Sequence, residues 1–301
     1  MDPIPTAARA NASRNGRRER GRRARWAPAR EALWDLLDPH LPPGGRVAIV
    51  GAGNGDDVPL SRIAARASSV VLLDIDAPTA ERARGRVRRG LRRRIRVLQH
   101  DVTLGAADRV VDAARRGPAG PGATGTGGPP GAGEARVPDP DEGRPASPGP
   151  EPGGTPAPLP GGPYDLVVGD LLYSQLLYPA MLDAGVPHAR RRLFLGAHGH
   201  EVCRTVVARL QASAPVVVHL HDRACWGNGY DQPHDLDDLL ERASAAPDEA
   251  LDLAADLKGP READPRDALT ALGVPVAETR MWAWPFVPGV DYLVVATRTG
   301  G

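Results

Sequence analysis

A glycine-rich turn constrains this chain more than any other stretch. In Val47-Ala-Ile-Val-Gly-Ala-Gly-Asn-Gly-Asp56 an apolar run ends in Gly51, Gly53 and Gly55, and a helical pattern through Leu60-Ser-Arg-Ile63 follows. A strand, a glycine turn and a helix in succession let backbone amides approach a ligand closely, because glycine carries no Cβ to obstruct it. The same alternation continues downstream. Val70 to Ile75 reads as a second buried strand, and Pro78 to about Leu91 as a helix opened by Asp76 as N-cap. Arg96 to Gln99 reads as a third strand and Ala106 to Arg115 as a further helix. Strands that are apolar throughout belong to a sheet covered on both faces, so the expectation is a doubly wound α/β fold.

The alternation is then interrupted. Residues 117–163 are more than half Gly plus Pro, contain no aromatic residue and show no apolar period. They read as a disordered excursion inserted between two core elements. Residues 1–24 are polar and Arg-rich, and they read as a disordered tail. A single domain therefore spans 25–301. It opens with a helix from Trp26 that carries Leu33, Trp34 and Leu37 on one face. Beyond the insertion, Tyr164 to Asp170 reads as a fourth strand, with helical segments near Ser174–Leu182 and Glu201–Ala212. Pro215 to Leu220 reads as a fifth strand and Asp235–Leu257 as largely helical. Val274–Met281 and Tyr292–Thr297 read as two strands, and the segment 282–289 between them is too short for a helical crossover, so they pair antiparallel.

Composition narrows the function. Lys and Arg total 38 against 37 Asp and Glu, so the molecule as a whole lacks the charge of a polyanion binder. Its two cysteines, Cys203 and Cys225, make no disulfide framework, which suits a reduced, cytoplasmic setting. No apolar run reaches the roughly 18 residues of a membrane span.

The glycine spacing separates two classes of ligand. A dinucleotide fingerprint places its third glycine three residues after the second. Here Asp56 stands at that position, and a carboxylate is poorly placed against a pyrophosphate. Asp74, at the carboxyl end of the second strand, can accept both hydrogen bonds of a ribose diol. Asp101 follows the third strand and Asp170 ends the fourth. All of these groups lie at the carboxyl ends of strands, where open α/β sheets bind ligands.

With the insertion set aside, Arg46 to about Leu177 resembles the class I S-adenosylmethionine (SAM) dependent methyltransferases. The resemblance implies a mostly parallel seven-stranded sheet closed by a C-terminal antiparallel hairpin. It implies SAM as cofactor, cradled by Gly51, Ala52, Gly53, Asn54 and Gly55. In it Asp74 is the ribose-binding acid, Asp101 contacts the adenine amino group, Asp170 ends the strand that faces the methionine portion, and Ile75 and Val102 complete the cofactor-binding set. Gly51 to Asp57, Val71 to Asp76, Asp101-Val-Thr103 and Leu171 to Leu177 resemble, more narrowly, one bacterial subgroup, a likeness that carries no substrate. The chain departs from the family at Ile49, where many members hold an acid for the cofactor's amino group. Asp56, Asp57 or Asp170 could serve instead. It also has Asp170-Leu-Leu-Tyr173 in place of the Asn/Asp-Pro-Pro-Tyr of amide and adenine methylating members.

An acceptor that carries a proton calls for a base. Tyr173, His198, His200, His221 and Asp222 stand in the right part of the chain, with His221-Asp222 read as the end of the fifth strand facing the cleft. Trp226, Trp282 and Trp284 could line an acceptor pocket or pack the hairpin. His198 and His200 have no convincingly spaced third partner for a metal. The expected acceptor is a small molecule. Rival readings are a catalytically degenerate scaffold protein of the same fold, an RNA methyltransferase using the Arg-rich tail and Arg82–Arg96, and an NAD(P)-dependent oxidoreductase. The glycine spacing disfavours the last, as does the absence of a Tyr-x-x-x-Lys pair, Lys258 being the sole lysine.

Overall fold

The computed structural model describes residues 20–116, 156–259 and 263–301. These form a seven-stranded sheet with strand order β3-β2-β1-β4-β5-β7-β6. β1 (Arg46–Val50), β2 (Ser69–Asp74), β3 (Ile95–Gln99), β4 (Leu166–Gly169) and β5 (Val216–Trp226) pair in parallel. β7 (Val290–Thr299) lies antiparallel between β5 and β6 (Val276–Val287). The doubly wound sheet with its reversed terminal hairpin is thus present in full.

Period-2 side-chain alternation divides the core between two layers. Val47 and Ile49 of β1 join Leu33, Leu36 and Leu37 of α2 (Ala27–Leu37) and Ile63 of α3 (Leu60–Arg66). Ala48 and Val50 join Val111 of α6 (Ala106–Arg116), Met181 of α7 (Tyr178–Asp183) and Val206 and Leu210 of α8 (His188–Gln211). Among the described residues no helix is long and apolar enough to cross a membrane.

Several boundaries differ from the sequence reading. The helix expected from Pro78 to Leu91 is two pieces, α4 (Ala77–Arg86) and the short α5 (Arg89–Arg92). The chain turns extended at Val87, a β-branched residue whose side chain is buried. Asp76 does cap α4, accepting from the Thr79 amide. Helix α8 begins 13 residues before the expected Glu201. Its first half is studded with Arg, His and Gly that show no apolar period. β5 runs on to Trp226, held by its pairing with β7. Trp282 to Val287, expected as a connection, belong to β6, and only Pro288-Gly289 turns the hairpin. The helical stretch after β5 is split into α9 (Leu236–Ala245) and α10 (Pro247–Ala255), and α11 (Pro265–Ala271) was not anticipated.

Both expected disordered segments lie mostly outside the described residues, and their inner edges are ordered. Arg22–Arg25 form a helical turn, α1. Residues 156–163 are fastened to the core: the Leu159 amide donates to Ser213 Oγ at 2.8 Å and Arg209 Nε to the Ala157 carbonyl at 2.9 Å. Leu159 itself is buried in the second core layer. Apolar burial and main-chain hydrogen bonds thus hold residues 156–163 against the core.

Candidate active site

The site lies at the carboxyl ends of β1, β2, β4 and β5. Gly51 leaves β1 with φ +79°, and a Cβ there would stand 2.9 Å from Leu172 Cβ and 3.0 Å from the Asp170 carbonyl oxygen. Only glycine fits. The turn is then tied to β2, because the Gly53 amide donates to Asp74 Oδ2 at 2.7 Å. Asp74 Oδ1 accepts from the Asp76 amide at 2.8 Å, so this buried carboxylate orients both the glycine turn and the start of α4. Asn54 Oδ1 accepts from the Asp56 amide at 2.9 Å and closes the turn.

Two adjoining cavities open from this turn and share Gly51 and Gln175 in their walls. The narrower is lined by Asp74, Ile75, Asp101 and Val102 together with His100 and Leu176. Asp101 is engaged by its own loop: Oδ1 accepts from the Thr103 amide and hydroxyl at 2.8 and 2.7 Å, and Oδ2 from the Gly105 amide at 2.5 Å. Arg209, which sequence reasoning did not single out, braces that loop by donating to the Val102 carbonyl at 2.5 Å.

The wider cavity, about 530 Å³, is lined by Ala52, Gly53, Asn54, Asp57, Asp170, Ser174 and Asp222 on one side. Trp26, Trp284, Phe286 and Tyr292 form the other. That volume falls within the range of small-molecule sites. Its aromatic wall is continuous, with ring centroids 4.8 Å apart for Trp26–Trp284, 4.9 Å for Trp284–Phe286 and 5.3 Å for Phe286–Tyr292. Trp284 was anticipated. Trp26, Phe286 and Tyr292 were not, since they come from a helix and hairpin distant in sequence.

Asp56 and Asp57 are neighbours with opposite fates. Asp56 is held at one end of a cluster of Arg22, Arg23 and Arg86, with the Arg22 contact at 2.8 Å, and lines neither cavity. It fastens the N-terminal segment and is not free for a ligand. Asp57 faces the wider cavity, and its pKa is raised to about 6 by burial first and by Asp56 next, against the pull of its backbone hydrogen bond and Arg22. Burial likewise raises Asp74 to about 6. Asp170 is pushed well above the usual carboxylate range, by burial and then by Asp57 and Asp74. Its Oδ1 has no hydrogen-bond partner among the described residues.

Of the five candidate bases, His198 and His200 lie on α8 and line neither cavity, and the other three part company. Tyr173 is 1% exposed and bonded to His219 Nδ1 on the far side of the sheet, where Gln211 completes the network at 2.8 Å. His221 is equally buried, with its Nδ1 3.8 Å from Asp264, and burial lowers its pKa to about 4. Neither lines the cavities, which corrects the expectation for both. The reason is the pleat: because β5 continues past residue 220, His219 and His221 share the α8 face while Asp222 points the other way. Asp222 does line the wider cavity, with Oδ2 accepting from Ser174 Oγ at 2.9 Å and Oδ1 without a partner among the described residues. Burial raises its pKa to about 7. Trp226 donates to the His234 carbonyl and packs beside α9 rather than at the site. Trp282 packs against the first core layer.

A carboxyl whose folded pKa exceeds its unfolded value opposes folding once ionised, so this contribution is absent at pH 4 and grows as pH rises through about 7. Asp222→Asn is accordingly expected to stabilise the free protein at pH 8 by about 1–3 kcal/mol, discounted for the open side of the cleft, and by much less at pH 5. Thermal unfolding at the two pH values checks this; equal effects at both would remove the electrostatic explanation.

No protein-family model and no curated protein sequence matches the chain. Solved structures with a similar chain path include a SAM-dependent methyltransferase from Aquifex aeolicus (TM-score 0.41, 11% identity, covering 97% of this chain and 98% of that one). Magnesium protoporphyrin IX methyltransferase from Synechocystis with bound S-adenosylhomocysteine superposes at TM-score 0.40 and 13% identity over 90% of this chain and 82% of that one. The N-methyltransferase NodS from Bradyrhizobium japonicum with S-adenosylhomocysteine gives 0.38 and 11% over 90% and 85%. The fold itself is a doubly wound, mostly parallel seven-stranded α/β sheet with an antiparallel C-terminal pair. The likeness ends at chain path, and the chemistry of the site rests on its own residues.

Proposed function

We propose that the protein is a SAM-dependent methyltransferase acting on a small-molecule acceptor. The observation that carries this reading is the division of labour among its carboxylates. Asp74 offers about four lone-pair positions and uses two on backbone amides, leaving two for a ribose diol beside the glycine turn. Asp101 keeps capacity on Oδ2 for the adenine amino group, with Ile75 and Val102 packing the base. A positively charged methionine portion suits the wider cavity, where Asp57 and Asp170 face it. Asp57 takes the part of the acid missing at Ile49, whose side chain is buried in the core and lines neither cavity. An oxidoreductase reading would put pyrophosphate against these same acids.

SAM supplies the methyl group when bound. The chain's own residues would orient it, and the aromatic wall would help exclude water. Methyl transfer needs a nucleophile within about 3–3.5 Å and little further assistance.

Calorimetry with SAM, S-adenosylhomocysteine and NAD tests the reading. SAM and its product should bind at pH 7.5 and NAD should not; preference for NAD would overturn the proposal. The affinity should also weaken as pH falls. With Asp57 and Asp74 near 6, a cation that needs them ionised holds nearly full affinity above pH 7. It should lose up to about tenfold per pH unit per coupled carboxyl below 6. A flat profile between pH 7.5 and 5.5 would count against their part in binding.

A further inference from the structure

The wider cavity holds more carboxyl groups than the cofactor itself calls for, and one of them, Asp222, comes from a different strand. Asp57 and Asp170 stand by the glycine turn and act on one another. Asp222 comes from β5, is held by Ser174, and lies towards the hairpin that carries Trp284, Phe286 and Tyr292. Arg22, the basic residue in the wall of this cavity, is already bonded to Asp56 at 2.8 Å. Three buried polar atoms of residues that line the cavity have no hydrogen-bond partner among the described residues: Asp170 Oδ1, Asp222 Oδ1 and Trp284 Nε1. Asp170 is only 3% exposed. The two carboxylate oxygens are unmet acceptors, costly in an apolar surround, and a ligand that donates to them relieves the cost, whereas the Trp284 Nε1–H is an unmet donor.

An anionic acceptor would be repelled by these acids, and a neutral hydroxyl would leave their charge uncompensated. A cation is attracted both by the carboxylates and by the faces of the indole and phenyl rings. Resting on the methyltransferase reading, we propose that the acceptor is a protonated amine on an aromatic or apolar body. Its nitrogen lies against Asp222 and its body against Trp26, Trp284, Phe286 and Tyr292. The ammonium gives a proton to Asp222 Oδ1, which frees the nitrogen lone pair. That pair forms the new N–C bond with the methyl carbon while the C–S bond breaks and its electrons stay on sulfur. The products are an N-methylammonium and neutral S-adenosylhomocysteine, and the proton on Asp222 returns to solvent. Asp222 is thereby a catalytic residue, and Ser174 a positioning one.

The test uses the full chain saturated with S-adenosylhomocysteine, whose own binding is measured first so that failure of the methyltransferase reading is seen separately. Phenethylamine and tryptamine are then titrated against their alcohol counterparts, 2-phenylethanol and tryptophol, and against the carboxylate 3-phenylpropanoate. The amines should bind at least tenfold more tightly than the alcohols, and the carboxylate least. With labelled SAM, methyl should appear on nitrogen. Asp222→Asn should erase the amine preference while the affinity for S-adenosylhomocysteine stays within about twofold. Equal or weaker binding of the amines, no saturable binding of any of them by protein that holds S-adenosylhomocysteine, or an Asp222→Asn variant with an unchanged preference would each overturn the inference. Failure of S-adenosylhomocysteine itself to bind would instead overturn the reading on which it rests.

Discussion

Asp74→Ala is expected to weaken SAM binding by about 5- to 150-fold, the equivalent of about 1–3 kcal/mol for lost hydrogen bonds to a charged group. The size follows from what this carboxylate does twice over. It faces the cavity from the end of β2, and it also accepts from the Gly53 and Asp76 amides. Alanine therefore removes the ribose acceptor and unties the glycine turn that cradles the rest of the ligand. Stability moves by a separate route. The ionised group is disfavoured by burial in the free protein, which offsets part of the hydrogen bonding lost, so the melting temperature at pH 8 should fall less than the affinity does. Calorimetry and thermal unfolding on the same variant separate the two effects. Affinity within twofold of the parent would show that the ribose is held elsewhere.

Gly51→Ala is the second large effect expected, here on folding and binding together. The left-handed backbone at φ +79° costs a non-glycine residue about 1–2 kcal/mol. The added methyl would meet Leu172 Cβ at 2.9 Å and the Asp170 carbonyl at 3.0 Å, and overpacking of this kind costs about 1–3 kcal/mol more. Neither neighbour can yield cheaply. Asp170 and Leu171 join β4 to the cavity, and Leu171 already sits at φ +46°. A loss of about 2–5 kcal/mol in denaturant unfolding is expected, with SAM binding abolished because Asp170 and the turn shift together. A variant with the parent's midpoint and affinity would show that the close approach is not needed.

These two positions were legible before any coordinates. Gly51 is the first glycine after an apolar run, and Asp74 ends the next, so periodicity and spacing sufficed. Asp101 and Asp170 were legible for the same reason. The base was not. Reading β5 as ending at Leu220 left His221 and Asp222 equally placed, whereas the strand's continued pairing with β7 through Trp226 puts them on opposite faces. Tyr173 falls beside the cavity in sequence and behind the sheet in space, because its hydroxyl reaches His219. The aromatic wall had only a partial signal, in Trp284.

The sequence by itself determined the layered sheet, the glycine turn and the acids at successive strand ends, because each depends on contacts within a strand-turn-helix unit. The tertiary structure alone decided which acids are free. Asp56 and Asp57 are adjacent, and only the approach of Arg22, Arg23 and Arg86 takes the first and leaves the second facing the cavity. It also decided the chemistry of the acceptor side. Trp26 and Phe286 are 260 residues apart, and the indole Nε1–H of Trp26 donates to the Phe286 carbonyl at 3.0 Å. Burial against that wall gives Asp222 a pKa near 7. Desolvation and long-range ion pairing belong to the assembled molecule, and no local pattern in the chain encodes them.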